Sequence, residues 1–416
     1  MAGGRSEDGG AAGAARQFYS RHHLILLSVA LCALGIATGT ATVLALHNGA
    51  SFLDAGLVSA CAVLAGACAL IQTRHLTLAV LVAVAPLPGL AVAAPMSAGA
   101  AFGAVPLLAY VFGYAVAVVK ANGVLVRALD GTSVDTPARP AGLAVGLMTV
   151  FSLLWFWHGQ TNDAAFQAVV DIGFAVSSAL LVMPLCTPFL RFDEAFVAGA
   201  NRAHERRQLI FEKVATVAVP RWGASIAGIT LILIALAWFG AEPALSHLHV
   251  ESAQGLTAAS AGLMFLSATV ACGGWREGLS ATIVAALVCL MALWGFAVAD
   301  KPEPVPLVED LELVSLALFL VFCGARRARV YRLLGDDPAI ARLRAVEELG
   351  GPQSFAVLGG IVALLPNAFV HPATAACEVA LFFAGVGGVA LAPAIVTACE
   401  TLFPRRRSVE ELYGGR

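Results

Sequence analysis

The chain has 416 residues, 59% of them hydrophobic and 12% charged, with a mean hydropathy of +0.84. Soluble chains carry about 25% charged residues, and half that amount cannot cover the surface of a soluble protein of this size. Soluble, disordered and nucleic-acid-binding readings are excluded, and the formal net charge of −2 points to no partner because the charge is bunched along the chain.

A bilayer core takes about 20 apolar residues per helix. Residues 1–21, rich in Gly and Ala, read as a disordered cytoplasmic tail. The first apolar run is 24–46, read as a retained span because no small-residue cleavage site follows it. Further runs follow at 52–71, 76–95, 99–119, 141–157 and 164–190, the second of these interrupted by Pro86 and Pro88. A basic cytoplasmic linker covers 191–221. Apolar runs resume at 222–239, 254–272, 279–299 and 306–324, then at 353–370 and 373–399 after a basic cytoplasmic loop at 325–352. In that loop, Asp336-Asp337-Pro338 has the form of a helix start, so 338–349 reads either as a solvated connector, the simpler expectation, or as a short surface helix. A basic tail, 405–416, closes the chain. The expected fold is all-α, with twelve transmembrane helices. The alternating ten-residue pattern of a membrane β-barrel is absent.

With twelve spans, all of the 25 Lys and Arg residues except Lys301 fall on the side of the N-terminus. Basic residues favour the cytoplasmic side, so both termini are expected there. The runs also group as one plus five, twice, over 22–190 and 222–404. Spans starting at 24, 99 and 164 correspond to spans starting at 222, 306 and 373. Six spans per half is an even number, so the halves form a parallel repeat.

Within this frame, residues 74–120 and 149–190 resemble the third to sixth helices of the resistance–nodulation–division (RND) superfamily, ending in the Pro-Leu close of LVMPLCTPFL. Residues 311–332, LELVSLALFLVFCGARRARVYR, resemble its tenth helix and basic exit. The likeness is greatest to the lipid-handling MMPL and hopanoid-associated branches. It implies a transporter or export component for a hydrophobic, lipid-like substrate in the bacterial cytoplasmic (inner) membrane. Membrane lipids, a separate periplasmic subunit or further copies of the chain are the implied partners, with no cofactor and no nucleic acid. Two departures stand out. The family's large extracytoplasmic domains have no room in residues 47–51 or 241–252. Its proton-relay acids in helices four and ten are replaced by Phe112-Gly113-Tyr114 and Gly324-Ala325-Arg326.

Ionisable groups inside a bilayer cost free energy and are functional candidates for that reason. Asp171 and Glu378 lie in corresponding spans of the two halves and read either as polar contacts to neighbouring helices near the outer head groups or as a displaced proton- or cation-coupling pair, with Tyr114 retained from the relay position. Tyr110, Gly113 and Ala325 are the candidate substrate-cleft residues. Glu309, Asp310 and Glu312 read as helix-start acids. His47, His158, His247, His249 and His371 fall on the outer side. His247-x-His249 with Asp163 or Glu251 has ligand chemistry, but its spacing is too common to assign a metal. The nine cysteines lie in or beside spans without a CxxC pair and read as helix-packing residues.

A transporter is the first reading. A non-transporting membrane scaffold or anchor derived from one is the second, favoured by the short outer connections and missing acids. A major-facilitator-like carrier fits the span count but not the one-plus-five grouping. No recognisable enzyme signature is present.

Overall fold

The computed structural model describes residues 52–93, 104–129, 164–187, 190, 192, 194–218, 222–247, 254–298, 305–370 and 373–403. The expected spans 24–46 and 141–157 lie outside the described residues. Among the described residues the regular structure is helical, with no strand. Among the described residues, five helices are long and apolar enough to cross a membrane, and four shorter apolar helices accompany them. The chain divides into two compact units, residues 1–202 and 203–416.

The first unit contains α1 (Phe52–Thr73), α2 (Leu76–Val84), α3 (Leu87–Ala93), α4 (Ala104–Leu129) and α5 (Ala164–Cys186). A tight turn with Arg74 at φ 53° joins α1 to α2, and the His75 ring accepts from the Leu78 amide at 3.2 Å as an N-cap. The expected span 76–95 is broken into α2 and α3 at Ala85–Pro86. Proline supplies no amide hydrogen and crowds the preceding turn. Side-chain donors satisfy carbonyls at the break: Tyr110 donates to Ala83 O at 2.8 Å and Ser178 to Ala85 O at 2.6 Å.

Helix α6 (Glu194–Ala218) carries the chain from one unit into the other. Most of the segment expected as a linker is therefore helical. The second unit continues with α7 (Gly223–His247), α8 (Gln254–Cys272), α9 (Trp275–Val298), α10 (Val305–Leu333) and α11 (Pro338–Val370). It ends with α12 (Ala373–Val386), a π-helical segment Gly387–Leu391, and α13 (Ala392–Leu402). Helix α9 is central, packing against α7, α8, α10 and α12, with Val284, Leu287 and Val288 wholly buried.

The expected cytoplasmic loop 325–352 is mostly helix. Helix α10 runs to Leu333 and closes in a Schellman turn, Asp336 N donating to Tyr331 O and Gly335 N to Arg332 O, each at 3.1 Å. Gly335 adopts φ +102°, which a side chain would strain. Asp337 Oδ1 then accepts from the Ala339 amide at 2.9 Å, starting α11. The expected break between a surface helix 338–349 and a span 353–370 is absent, and α11 runs unbroken through Pro352. Packing overrides local propensity there. The Phe211 ring covers Gly350 and Gly351, and Gln353 Nε2 donates to Leu320 O at 2.8 Å.

Candidate functional site

In the first unit, Tyr110, Gly113 and Tyr114 share α4, and all three are buried. Tyr110 and Tyr114 are 2% and 0% exposed, their rings stack 6.4 Å apart, and Tyr114 donates to Ala65 O at 3.2 Å. A Cβ added to Gly113 would lie 2.8 Å from Pro86 Cβ and 3.0 Å from Ala175 O, so α4 and α5 meet backbone to backbone. Asp171 stands one helical turn before Ala175 on α5 and is 4% exposed.

In the second unit, Glu378 lies on α12, half-buried, with Oε1 lacking any hydrogen-bond partner. Glu312 is not a helix-start acid. It is the eighth residue of α10 and is 1% exposed. The side chains of Glu309 and Asp310, and the residues His249, Glu251 and Asp163, lie outside what the structure describes.

Ala325 lines a cavity in the second unit. This cavity of about 40 Å³ lies among α9, α10, α11, the π-helical segment and α13. Ala325, Ala328, Val321, Val346 and Val396 supply apolar wall, and Glu277, Ser280, Arg342 and Gln353 supply polar groups. Gly324, Ala325 and Ala328 of α10 and Gly388 of the π-helical segment put little side-chain volume into the space. Gly388 lines it inside the π-helical segment, a widened turn that recurs at functional sites.

Two of the cavity's polar residues, Glu277 and Arg342, belong to ion pairs that reach beyond it. Arg342 grips Glu400 with both terminal nitrogens, Nη1 to Oε1 at 2.7 Å and Nη2 to Oε2. Arg276 stands 3.6 Å from the same carboxylate and donates to Phe403 O at 2.5 Å. Arg332 donates to Glu277 Oε1 at 3.1 Å. Beside them, Arg327 donates to both oxygens of Glu348 at 2.5 and 2.6 Å, and the Tyr331 hydroxyl adds a third bond at 2.6 Å. Paired, bidentate arginine–carboxylate contacts hold charge in a half-buried place. Burial raises the Tyr331 hydroxyl above its ordinary range, and its bond to the Glu348 carboxylate adds to the shift. Reading the sequence missed Arg276, Glu277, Arg342 and Glu400. The only signal was the odd placement of Arg276-Glu277 and Glu400 at the ends of apolar runs.

No protein-family model and no curated protein sequence matches the chain. Among solved structures, it is similar to SecDF, an RND-superfamily protein, crystallised in a super-membrane-facing form. The TM-score is 0.51 at 11% identity, over 85% of this chain and 63% of the SecDF chain. This chain therefore spans less than two thirds of the SecDF chain it matches. That likeness gives the chain a SecDF-like helical fold, and its apolar helices are those of a multi-pass membrane protein.

Proposed function

We propose that this protein moves or presents a hydrophobic, lipid-like substrate in the inner membrane, as an RND-type export component of the MMPL or hopanoid-associated kind. In this reading it has twelve spans in two parallel halves, with both termini cytoplasmic. The observation that carries it is the small-residue cavity among α9, α10 and α11, largely apolar yet fringed by buried polar groups. Such lining suits one end of an amphiphile, with polar groups for its head and apolar wall for the start of its chain. Asp171 and Glu378 are among the acids available for coupling to a proton gradient, beside the buried Glu312 of α10, since the usual relay positions hold none.

A second reading is a membrane scaffold. It is favoured by the short connection between α7, which ends at His247, and α8, which begins at Gln254. Reconstitution in liposomes separates the two. With a fluorescent phospholipid and an imposed pH gradient, a transporter moves the lipid between leaflets faster than empty liposomes do. A rate equal to that of empty liposomes, with and without the gradient, leaves the scaffold reading.

A further inference from the structure

The polar groups at the second unit's cavity are unequally occupied. Ser280 Oγ donates to Glu277 O, and Gln353 Nε2 to Leu320 O, each at 2.8 Å. Arg342 is different. It is 7% exposed, both its terminal nitrogens go to Glu400, and its Nε–H has no acceptor. A buried donor without an acceptor carries a desolvation cost that a bound oxygen would remove. The surrounding charge points the same way. Arg276, Arg332 and Arg342 are held by Glu277 and Glu400, three cations against two carboxylates, and the Nε–H groups of Arg276 and Arg332 also lack acceptors. One further negative charge would balance the set.

Depth in the membrane decides where that charge comes from. Trp275, exposed, meets the exposed Phe403 edge-on with ring centres 6.2 Å apart, beside Arg276. Exposed tryptophan next to arginine at the end of an apolar helix marks the head-group level of a bilayer. A cavity of about 40 Å³ has room for about three water-sized spheres, enough for a small oxyanion and its first carbons but not for a whole lipid.

We propose that this cavity binds the carboxylate end of a single-chain anionic amphiphile, Arg342 donating its Nε–H to a carboxylate oxygen while Val321, Ala325 and Val346 enclose the first methylenes. Such a site rests on the lipid-handling reading and adds the head-group chemistry to it.

The test is calorimetric titration of the full chain in nanodiscs of phosphatidylcholine with laurate, with acetate and dodecanol as comparisons. One laurate should bind per chain, with acetate and dodecanol each weaker by about tenfold or more. Arg342→Gln and Ala325→Leu should each weaken laurate by a similar factor. Ala325→Leu fills the wall without touching the Arg342–Glu400 pair, so a folding defect in the first variant leaves the second to decide. Laurate affinity unchanged in Ala325→Leu overturns the proposal. Dodecanol binding as tightly as laurate overturns the head-group assignment, and acetate binding as tightly reduces the site to an anion hole. Laurate binding without lipid movement in liposomes upholds the site and removes the transport reading.

Discussion

Arg342 and Glu400 stand 58 residues apart in sequence and meet as a two-pronged pair, the shared carboxylate also facing Arg276. This one carboxylate ties the starts of α9 and α11 to the end of α13. Glu400→Gln leaves two arginines, each 8% exposed at the side chain, without their counter-charge. Removing one partner of a buried pair costs about 3 kcal/mol or more. Thermal unfolding in detergent should show a clear fall in midpoint. The hydrophobic pair Arg342→Met with Glu400→Leu should recover part of it, because no carboxylate-gripping arginine is then stranded at α11. A midpoint unmoved by Glu400→Gln would mean the pair carries no structural weight.

Two glycines on α4 make a matched comparison. Gly113 sits against Pro86 and Ala175, whereas a Cβ on Gly123 would meet nothing within 4 Å. Gly113→Ala should destabilise by about 1–3 kcal/mol through overpacking. Gly123→Ala should be neutral or stabilising by up to about 1 kcal/mol, the helix propensity gain of alanine over glycine. Parallel thermal melts check both, and equal shifts would mean α4 does not approach α5 this closely.

Much of the helical framework was legible as apolar length alone. The runs 52–71, 254–272 and 279–299 reappear as Phe52–Thr73, Gln254–Cys272 and Trp275–Val298, because a bilayer-length apolar segment has few alternatives to helix. The basic stretches were harder. Residues 325–352 look solvated by composition, yet Arg327, Arg332 and Arg342 each close on a carboxylate supplied from another element or a distant turn. Ion pairs between α9, α10, α11 and α13 leave no local pattern to read. Glu312 was misread for a related reason. Proline-rich KPEPVP draws the eye to a helix start, while the helix begins at Val305 and carries Glu312 two turns inward.

The Tyr331 hydroxyl gives a smaller, separable test. It donates to Glu348 Oε2 at 2.6 Å while Arg327 holds both oxygens of the same carboxylate. Tyr331→Phe keeps the ring beneath the Arg327 guanidinium, 5.0 Å from its centroid, and removes only the hydroxyl. A hydrogen bond to a charged group is worth about 1.5–3 kcal/mol. The expected loss lies at the lower end because water reaches Arg327, whose side chain is 38% exposed. Arg327→Lys should cost more than Tyr331→Phe, since lysine cannot reproduce the fork. The reverse order in chemical denaturation would place the hydroxyl, not the guanidinium, at the centre of this group.

Asp171 and Glu378 separate stability from coupling. Asp171 is 4% exposed and Glu378 has a buried oxygen with no partner, so neither carboxylate is well placed to stabilise the fold as an anion. Asp171→Asn and Glu378→Gln preserve shape and remove charge. Their thermal midpoints should therefore stay level or rise. If these acids couple a proton gradient to lipid movement, the double variant should lose the gradient-dependent part of the rate by about tenfold or more while keeping the rate seen without a gradient. A fold that holds with gradient dependence lost assigns the acids to coupling. Gradient dependence that survives in the double variant removes them from it, and a falling midpoint would instead make them structural.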